Sequence, residues 1–433
     1  LPPGPPSQSF ILFYFQLHGE YGMKLGINGL GRIGKLTLWR QVALKHFPEV
    51  IVNVGRPVGR SLNDLLQMVE SDSTYGHLGN FLHGHQGGRV IEEANETEGT
   101  AVINGVPVKF LRNQRNPADL AWRDHDAHLV VDCTGAFLDP TTPAQEKGGA
   151  LRGHLEAGAA KVILSAPFKI RNKGLAMPED AVTVVMGIND ETYDPTRHTL
   201  ISAASCTTTC LAFMVKPLLD HFGAERILSA SMVTVHAVTG SQSVLDTLPK
   251  AGATDLRKNR SVLNNIILTT TGAAKTLRLV IPEMATIGFM AESVRIPTST
   301  GSLVILVVNL QSAQATTPCN RNDINTLYKD AAEGSYAGYL AYSDAQNVSS
   351  DIIGYPHAAA SIEATETHTR TAFSRIDLRL LPNIPEQIRA TLESPIIEIP
   401  VTQAVIYGWY DNELGSYVNM LTENVIHVAN KMV

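Results

Sequence analysis

The chain has 433 residues, 44% of them hydrophobic and 18% charged, with 35 Lys and Arg against 41 Asp and Glu for a formal net charge of −6. That composition is globular, with room for about two or three domains and a core that needs neither disulfides nor metal. The acidic balance argues against a protein built mainly for nucleic acid, and no apolar run approaches the ~20 residues that span a bilayer; four cysteines are too few for a disulfide scaffold, so reduced thiols in the cytoplasm are expected.

Residues 1–9 are Pro-rich and residues 10–17 form a short apolar run with no Lys or Arg before it, which does not fit a secretory signal. Residues 1–22 are read either as a leader or tag, with Met23 the natural start, or as a native disordered extension. Residues 24–28 form a short β-like run ending in Asn28. Gly29, Gly31 and Gly34 follow in a G-x-G-x-x-G turn that carries Arg32 and Ile33, and Leu36, Trp39, Val42, Ala43 and Phe47 then recur at helical spacing. Residues 50–54 read as the next strand. Strand, glycine turn, helix and strand are the context a dinucleotide fingerprint requires. Gly29 permits the tight turn, Gly31 the approach of a pyrophosphate and Gly34 close helix–strand packing, while the helix N-terminus faces the anion.

One part of that fingerprint is missing. An acidic residue to hold the adenine ribose is absent from the end of the second strand, where Val54, Gly55 and Arg56 stand. Two readings stay open. Either Arg56 meets a 2′-phosphate and NADP is tolerated or preferred, or Arg56 is a solvated loop residue and NAD is bound.

Further strands are expected at 129–133, 161–165, 182–188 and 199–203, with a helix at 151–160. Thr134, Gly135 and Ser165 fall at strand C-terminal ends, where open parallel sheets take ligands. His77, His83 and His85 match no closed zinc spacing, and no metal is expected. Ser205, Cys206 and Thr207 lead from a strand into a helix running to about Phe222. Cys206 then sits at a helix N-terminus, where partial positive charge favours thiolate, among hydroxyls suited to an anion. Cys210, one turn deeper, reads as buried and inert.

A thiolate nucleophile wants a base, and His236 near the end of strand 230–237, opening onto Thr239 and Ser241, is the candidate. Three further groups have anion-binding chemistry: Arg257 with Arg260, Thr271 and Gly272 before a helix, and Arg295 in a β-rich run.

The stretches INGLGRIG, SAASCTTTCLA, TVHAVTGSQ, TTTGAAK, VRIPTSTGS and WYDNELG, in this order, resemble glyceraldehyde-3-phosphate dehydrogenase over nearly all of residues 23–433. The resemblance implies an α/β chain: a Rossmann dinucleotide-binding domain (23–205, completed by the C-terminal helix 412–433) and an α+β catalytic domain with a mixed sheet (206–411). The family is usually a homotetramer. Cys206 would attack the aldehyde of glyceraldehyde-3-phosphate, and His236 would activate the thiol and then serve as base for hydride departure to the nicotinamide. The Cys206 N–H and His236 would hold the oxyanion. Inorganic phosphate would then cleave the thioester to give 1,3-bisphosphoglycerate.

The same resemblance assigns Thr239, Arg295 and, more weakly, Ser241 to the substrate phosphate. Ser205, Thr207, Thr271 and Gly272 fall to the inorganic phosphate, with Arg257 as a neighbour. Asn412 would fix the nicotinamide amide, Arg32 and Ile33 would lie at the pyrophosphate, and Thr134 and Gly135 near the cofactor ribose.

There are departures from the family pattern. The second strand lacks its Asp, Ala203 and Thr209 replace asparagines, and the Ser416–Tyr417 order displaces a tyrosine. Residues 369–400 read as an insertion in the catalytic domain, with a helix at 386–392. Rival readings are an erythrose-4-phosphate dehydrogenase, which deacylates with water, and a non-catalytic nucleotide-binding protein. The hydroxyls at the inorganic-phosphate site favour phosphorolysis, and a pure binder needs no Cys206, His236 and Arg295 together.

Overall fold

The computed structural model describes residues 22–312, 318–355, 358–383, 385–391 and 394–432; the expectations for residues 1–21 and for Leu392 lie outside them. The chain divides into two compact units. The first holds the described residues up to Val182, Asp194–Ser202 and the segment from Val425; the second holds Thr183–Tyr193 and Ala203–Asn424.

The first unit is built on β1 (Leu25–Asn28), β2 (Val50–Asn53), β5 (Ile91–Asn95), β6 (Thr100–Ile103), β7 (Val106–Leu111), β8 (Leu129–Asp132), β9 (Lys161–Leu164), β10 (Ala181–Thr183) and β11 (Leu200–Ser202). They form a nine-stranded sheet in the order β10-β11-β9-β8-β1-β2-β7-β6-β5, and β3 (Ser71–Asp72) with β4 (Gly76–His77) makes a separate ribbon. Every residue of β1, β2 and β8 is buried, as parallel strands covered on both faces require. These central strands pair in parallel, β1 with β2 and β8, β2 with β7, and β8 with β9. Chain order runs outward through β2 and β7 on one side of β1 and through β8 and β9 on the other. The winding therefore reverses between β1 and β8, which is where such sheets bind ligands. Helix α1 (Arg32–Leu44) follows β1 and ends on Lys45 in the left-handed region, φ 54°.

Two expected elements are shorter in the structure. The strand expected at 182–188 ends at Thr183, because Asn189 takes over the backbone: its Oδ1 accepts from Val185 N at 2.8 Å and its Nδ2 donates to Thr183 O at 2.8 Å. The helix expected at 151–160 spans only Gly153–Glu156, and Gly158 at φ 112° turns the chain away.

The second unit carries a mixed eight-stranded sheet made of β12 (Ile227–His236), β13 (Ile267–Thr269), β14 (Gly288–Arg295), β15 (Ser302–Gln311), β16 (Leu340–Ser343), β17 (Ala360–Glu363), β18 (His368–Asp377) and β19 (Ile396–Tyr410). Strand β12 pairs in parallel with β14 and antiparallel with β15. Burial alternates along β15, so one face of the strand turns to the core. A long helix (Cys206–Phe222) packs against the sheet; Gly408 on β19 lets it approach, since a Cβ there would lie 2.4 Å from Met214 Sδ. In the segment 369–400, β18 continues past the end of β15: its pairs from Phe373↔Pro400 to Asp377↔Ile396 extend β19 beyond Gln311↔Val401. A short helix, Glu386–Thr391, lies in that segment. Among the described residues no helix is long and apolar enough to cross a membrane.

Candidate active site

The long helix of the second unit opens at a strained corner. Ala204 holds φ 54°, a left-handed conformation that costs a non-glycine residue about 1–3 kcal/mol. Tyr417 secures that corner by donating its hydroxyl to Ala204 O at 3.3 Å. Ser205 is the N-cap, with its Oγ accepting from Thr208 N at 3.2 Å. Cys206 is the first helical residue, and its Sγ lies 3.5 Å from Nε2 of His236, the last residue of β12.

Register brings the next group. His236 pairs across the parallel ladder with Arg295, whose Nη1 lies against the imidazole Nδ1 and 3.2 Å from Ala237 O. Ala237 O is itself 2.7 Å from His236 Nδ1. The Arg295 Nε is buried and has no hydrogen-bond partner among the described residues, an arrangement that invites an anion. Tyr410, at the end of β19, ties the helix to the strand: its hydroxyl is 2.9 Å from Thr207 Oγ1 and 2.8 Å from Thr234 Oγ1, and its ring meets that of His236 edge-on at 6.0 Å.

The electrostatics of the pair are dominated by burial. Burial raises the Cys206 thiol above its ordinary value, against the opposing pull of the Arg295 charge and of bonds with Thr207. Burial and the Arg295 charge depress His236 to about 3. Without a ligand, burial thus opposes charge on both the thiol and the imidazole, and works against the thiolate that the helix N-terminus favours.

In the loop after β12, Thr239 Oγ1 lies 3.0 Å from Ser241 Oγ and 2.9 Å from Gln242 Oε1. Gly272 caps the helix Ala273–Val280, which packs against the Cys206 helix, and Thr271 Oγ1 accepts from Ala273 N at 3.2 Å. Asn412 is joined to the base by a short relay: Ala237 N donates to Ser302 Oγ at 3.0 Å, and Ser302 Oγ donates to Asn412 Oδ1 at 2.9 Å. Arg257 stands apart. Its hydrogen bonds go to Asp255, and among the described residues none reaches the thiol cluster.

In the first unit the glycine turn is shaped for an anion. Gly29 holds φ 93°, a Cβ on Gly34 would lie 1.9 Å from Gly29 O, and a Cβ on Gly31 would project into open space. Gly31 caps α1 with no side-chain bond, and the first turn holds no acidic residue to repel an anion. The Arg32 side chain pairs with Asp72, and Ile33 follows it in the first turn.

Two family models match the chain: glyceraldehyde 3-phosphate dehydrogenase, NAD binding domain, over residues 23–140, and glyceraldehyde 3-phosphate dehydrogenase, C-terminal domain, over residues 205–376. Among curated relatives, glyceraldehyde-3-phosphate dehydrogenase 2 of Streptomyces avermitilis is 34% identical over 411 residues, 95% of this chain and 99% of the relative. The chain belongs to the glyceraldehyde-3-phosphate dehydrogenase family. Glyceraldehyde-3-phosphate dehydrogenase 2 of Bacillus subtilis is 34% identical over 410 residues (95% and 98%), and the Geobacillus stearothermophilus enzyme 35% over 410 residues (94% and 99%). The expected fold class, a Rossmann unit followed by a mixed-sheet unit, agrees with both family models and with the two sheets.

Around the glycine turn of this family member the strand ends carry residues that sequence reasoning did not single out. Asn53 stands near the missing acid, and its Nδ2 is committed to Asn28 Oδ1 at 2.8 Å and Gln114 O at 3.1 Å. A cavity of about 600 Å³ opens beside it, lined by Pro57, Arg60, Arg112 and Gln114 among others; the exposed Arg56 is not in that lining. Ser165 N donates to Asp132 O at 2.9 Å, and Asp132 in turn binds Thr134. Tyr410 and Thr234 were also missed. Tyr410 falls inside WYDNELG, but its two threonine partners are distant in sequence.

Proposed function

We propose that the chain catalyses the phosphorylating oxidation of glyceraldehyde-3-phosphate to 1,3-bisphosphoglycerate with a nicotinamide cofactor. The observation that carries this reading is the 3.5 Å approach of Cys206 Sγ to His236 Nε2 at a helix N-terminus, beside the buried Arg295. As Sγ attacks the aldehyde carbon, its proton passes to Nε2. The oxyanion forms against the Cys206 N–H and takes that proton back, giving a thiohemiacetal. His236 then accepts the hydroxyl proton as the carbon loses its hydride, leaving a thioester on Cys206. The bound nicotinamide supplies the hydride acceptor. Phosphate adds to the thioester, the C–S bond breaks, and Cys206 recovers its proton from His236.

Arg295 has two parts in this scheme. Its guanidinium receives the substrate phosphate, with Thr239 and Ser241 beside it. Its charge also depresses His236 in the resting protein, so an arriving phosphate that neutralises Arg295 raises the imidazole toward the range of a working base. Ser205, Thr207, Thr271 and Gly272 would take the inorganic phosphate; Arg257, paired with Asp255, is left out of that set. In the first unit Asn28, Gly29, Gly31, Arg32, Ile33 and Gly34 would hold the pyrophosphate side, Thr134, Gly135 and Ser165 the ribose, and Asn412 of the second unit the carboxamide. In this reading the dinucleotide domain is completed by the C-terminal segment, and residues 369–400 are an insertion in the catalytic domain.

Both NAD and NADP fit the adenosine end as we read it. No carboxylate closes β2, and Arg60 and Arg112 line the neighbouring cavity. The ratio of kcat/KM for the two cofactors checks this; a strong preference for NAD rejects it. The exposed Leu245, Leu248, Ile266 and Met290 support assembly of this chain as a homotetramer. Its four free thiols suit the cytoplasm. The test of the reaction itself is the assay with and without inorganic phosphate. Phosphate-dependent reduction of cofactor is expected, and activity indifferent to phosphate would reject phosphorolysis in favour of hydrolysis of a related aldose phosphate.

A further inference from the structure

A chain of buried polar side chains crosses the C-terminal ends of β2, β1 and β8, and the thiol chemistry uses none of it. Asp132, His154 and Trp122 are fully buried, and Asn28 and Asn53 nearly so. Trp122 Nε1 lies 2.9 Å from His154 Nδ1. An indole N–H only donates, so Nδ1 holds a lone pair, the imidazole proton sits on Nε2, and Nε2 donates to Asp132 Oδ2 at 3.0 Å. The other short bonds in the chain then have fixed directions, and Asn28 Nδ2, 3.4 Å from the Nε2 donor, gives its hydrogen to Asp132 instead. Asn28 Nδ2 donates to Asp132 Oδ2 at 2.8 Å, which turns its Oδ1 toward Asn53 Nδ2. Asp132 Oδ1 accepts both the N–H and the hydroxyl of Thr134, at 3.0 and 2.6 Å.

The residues bound by this carboxylate flank the glycine turn. Asn28 precedes Gly29, and Thr134 packs so closely that a Cβ on Gly29 would lie 2.9 Å from Thr134 Cγ2. The sheet reverses its winding between β1 and β8, the strands that carry Asn28 and Asp132. A buried carboxylate is a poor stabiliser compared with apolar packing; what it supplies here is orientation. We infer that Asp132 is a positioning residue of the dinucleotide site, its carboxylate locking Asn28, Thr134 and, through Asn28, Asn53 around the glycine turn. His154 and Trp122 hold that carboxylate from below. The inference rests on the reading of the first unit as the holder of a nicotinamide dinucleotide.

The experiment is calorimetric titration of NAD and NADP into the cofactor-free full chain, with cofactor KM and kcat measured beside it. Asp132→Asn keeps the volume and still offers Thr134 an oxygen, but it turns an NH2 group toward Asn28 and His154, which both donate there. It is expected to weaken dinucleotide binding about tenfold or more and to raise cofactor KM in step, while kcat at saturating cofactor changes less. Thr134→Val should weaken binding in the same direction and Thr134→Ser should restore it. Alkylation of Cys206 in the cofactor-free variants, read at wild-type rate, shows that the second unit is intact. Should Asp132→Asn fail to fold, Trp122→Phe frees the His154 proton to move and is expected to weaken binding about threefold. Wild-type affinity in folded Asp132→Asn or Thr134→Val overturns the inference and leaves the dinucleotide reading standing. Failure of the unmodified chain to bind either dinucleotide overturns both.

Discussion

One buried histidine in each unit makes an instructive contrast. His154 and His236 are both almost fully covered, and both have their two nitrogens engaged. The two nearest partners of His154 can each act in only one way: the Trp122 indole donates and the Asp132 carboxylate accepts, so the imidazole is pinned in one tautomer. His236 instead faces a thiol across Nε2, a partner that can surrender its proton, and a guanidinium whose charge a ligand can cancel. Burial sets the cost of charging an imidazole. Whether it works as a base depends on a neighbour with a transferable proton.

The sharpest way to break this contrast is to remove the mobile side of it. His236→Asn is expected to lower kcat by about 10²- to 10⁴-fold, the usual worth of a positioned acid–base group, with stability little changed. His154→Phe should show the opposite balance. It leaves the Trp122 N–H open and takes one bond from the Asp132 carboxylate, so a loss of about 3 kcal/mol in denaturant unfolding is expected, with Cys206 alkylation in the folded protein unchanged. If His154→Phe proved neutral to stability, the pinned tautomer would have no structural consequence.

A smaller effect is expected from Tyr410→Phe. Its hydroxyl joins Thr207 on the helix to Thr234 on β12, and losing it should cost about 1–2 kcal/mol and lower kcat modestly as the thiol and imidazole lose their common support. The smallest effect is in pH. The folded value of His236, about 3, lies below the 6.5 of a free imidazole, so the neutral ring is favoured in the folded chain. Its contribution to stability is therefore complete above pH 6.5 and is lost as pH falls through about 3. The acid limb of an unfolding profile should be shallower in His236→Gln; superimposable limbs would show that the ring is not held neutral.

How much of this the sequence discloses depends on how far apart the cooperating residues lie. The glycine turn is local: Gly29, Gly31 and Gly34 sit within one strand–helix junction, and their physical demands can be read from spacing. The helix start at Ser205 and Cys206 is local too. The Cys206–His236 pair is separated by 30 positions and the Thr207–Tyr410 pair by 203, distances that only strand register closes. Composition and periodicity carry no such register, and the family resemblance stood in for it. The balance of charge at the thiol is split in the same way: a helix terminus is visible in sequence, whereas the desolvation that opposes it belongs to the folded surroundings. Arg56 was the nearest basic residue to the missing acid in sequence, but after Gly55 at φ 72° it ends exposed, while Arg60 and Arg112 line the cavity. Asp132 and His154 are not legible as partners, because an isolated Asp at a strand end and a His 22 positions later look unrelated until the strands are side by side.

The most direct measurement is to incubate the chain with glyceraldehyde-3-phosphate and cofactor in the absence of inorganic phosphate, quench in acid, and locate acylation by peptide mass spectrometry. The account predicts one acyl group on the Cys206 peptide, discharged when phosphate is added and formed far more slowly in His236→Asn. An unmodified Cys206 during turnover, or acylation at Cys133, Cys210 or Cys319 instead, would contradict it.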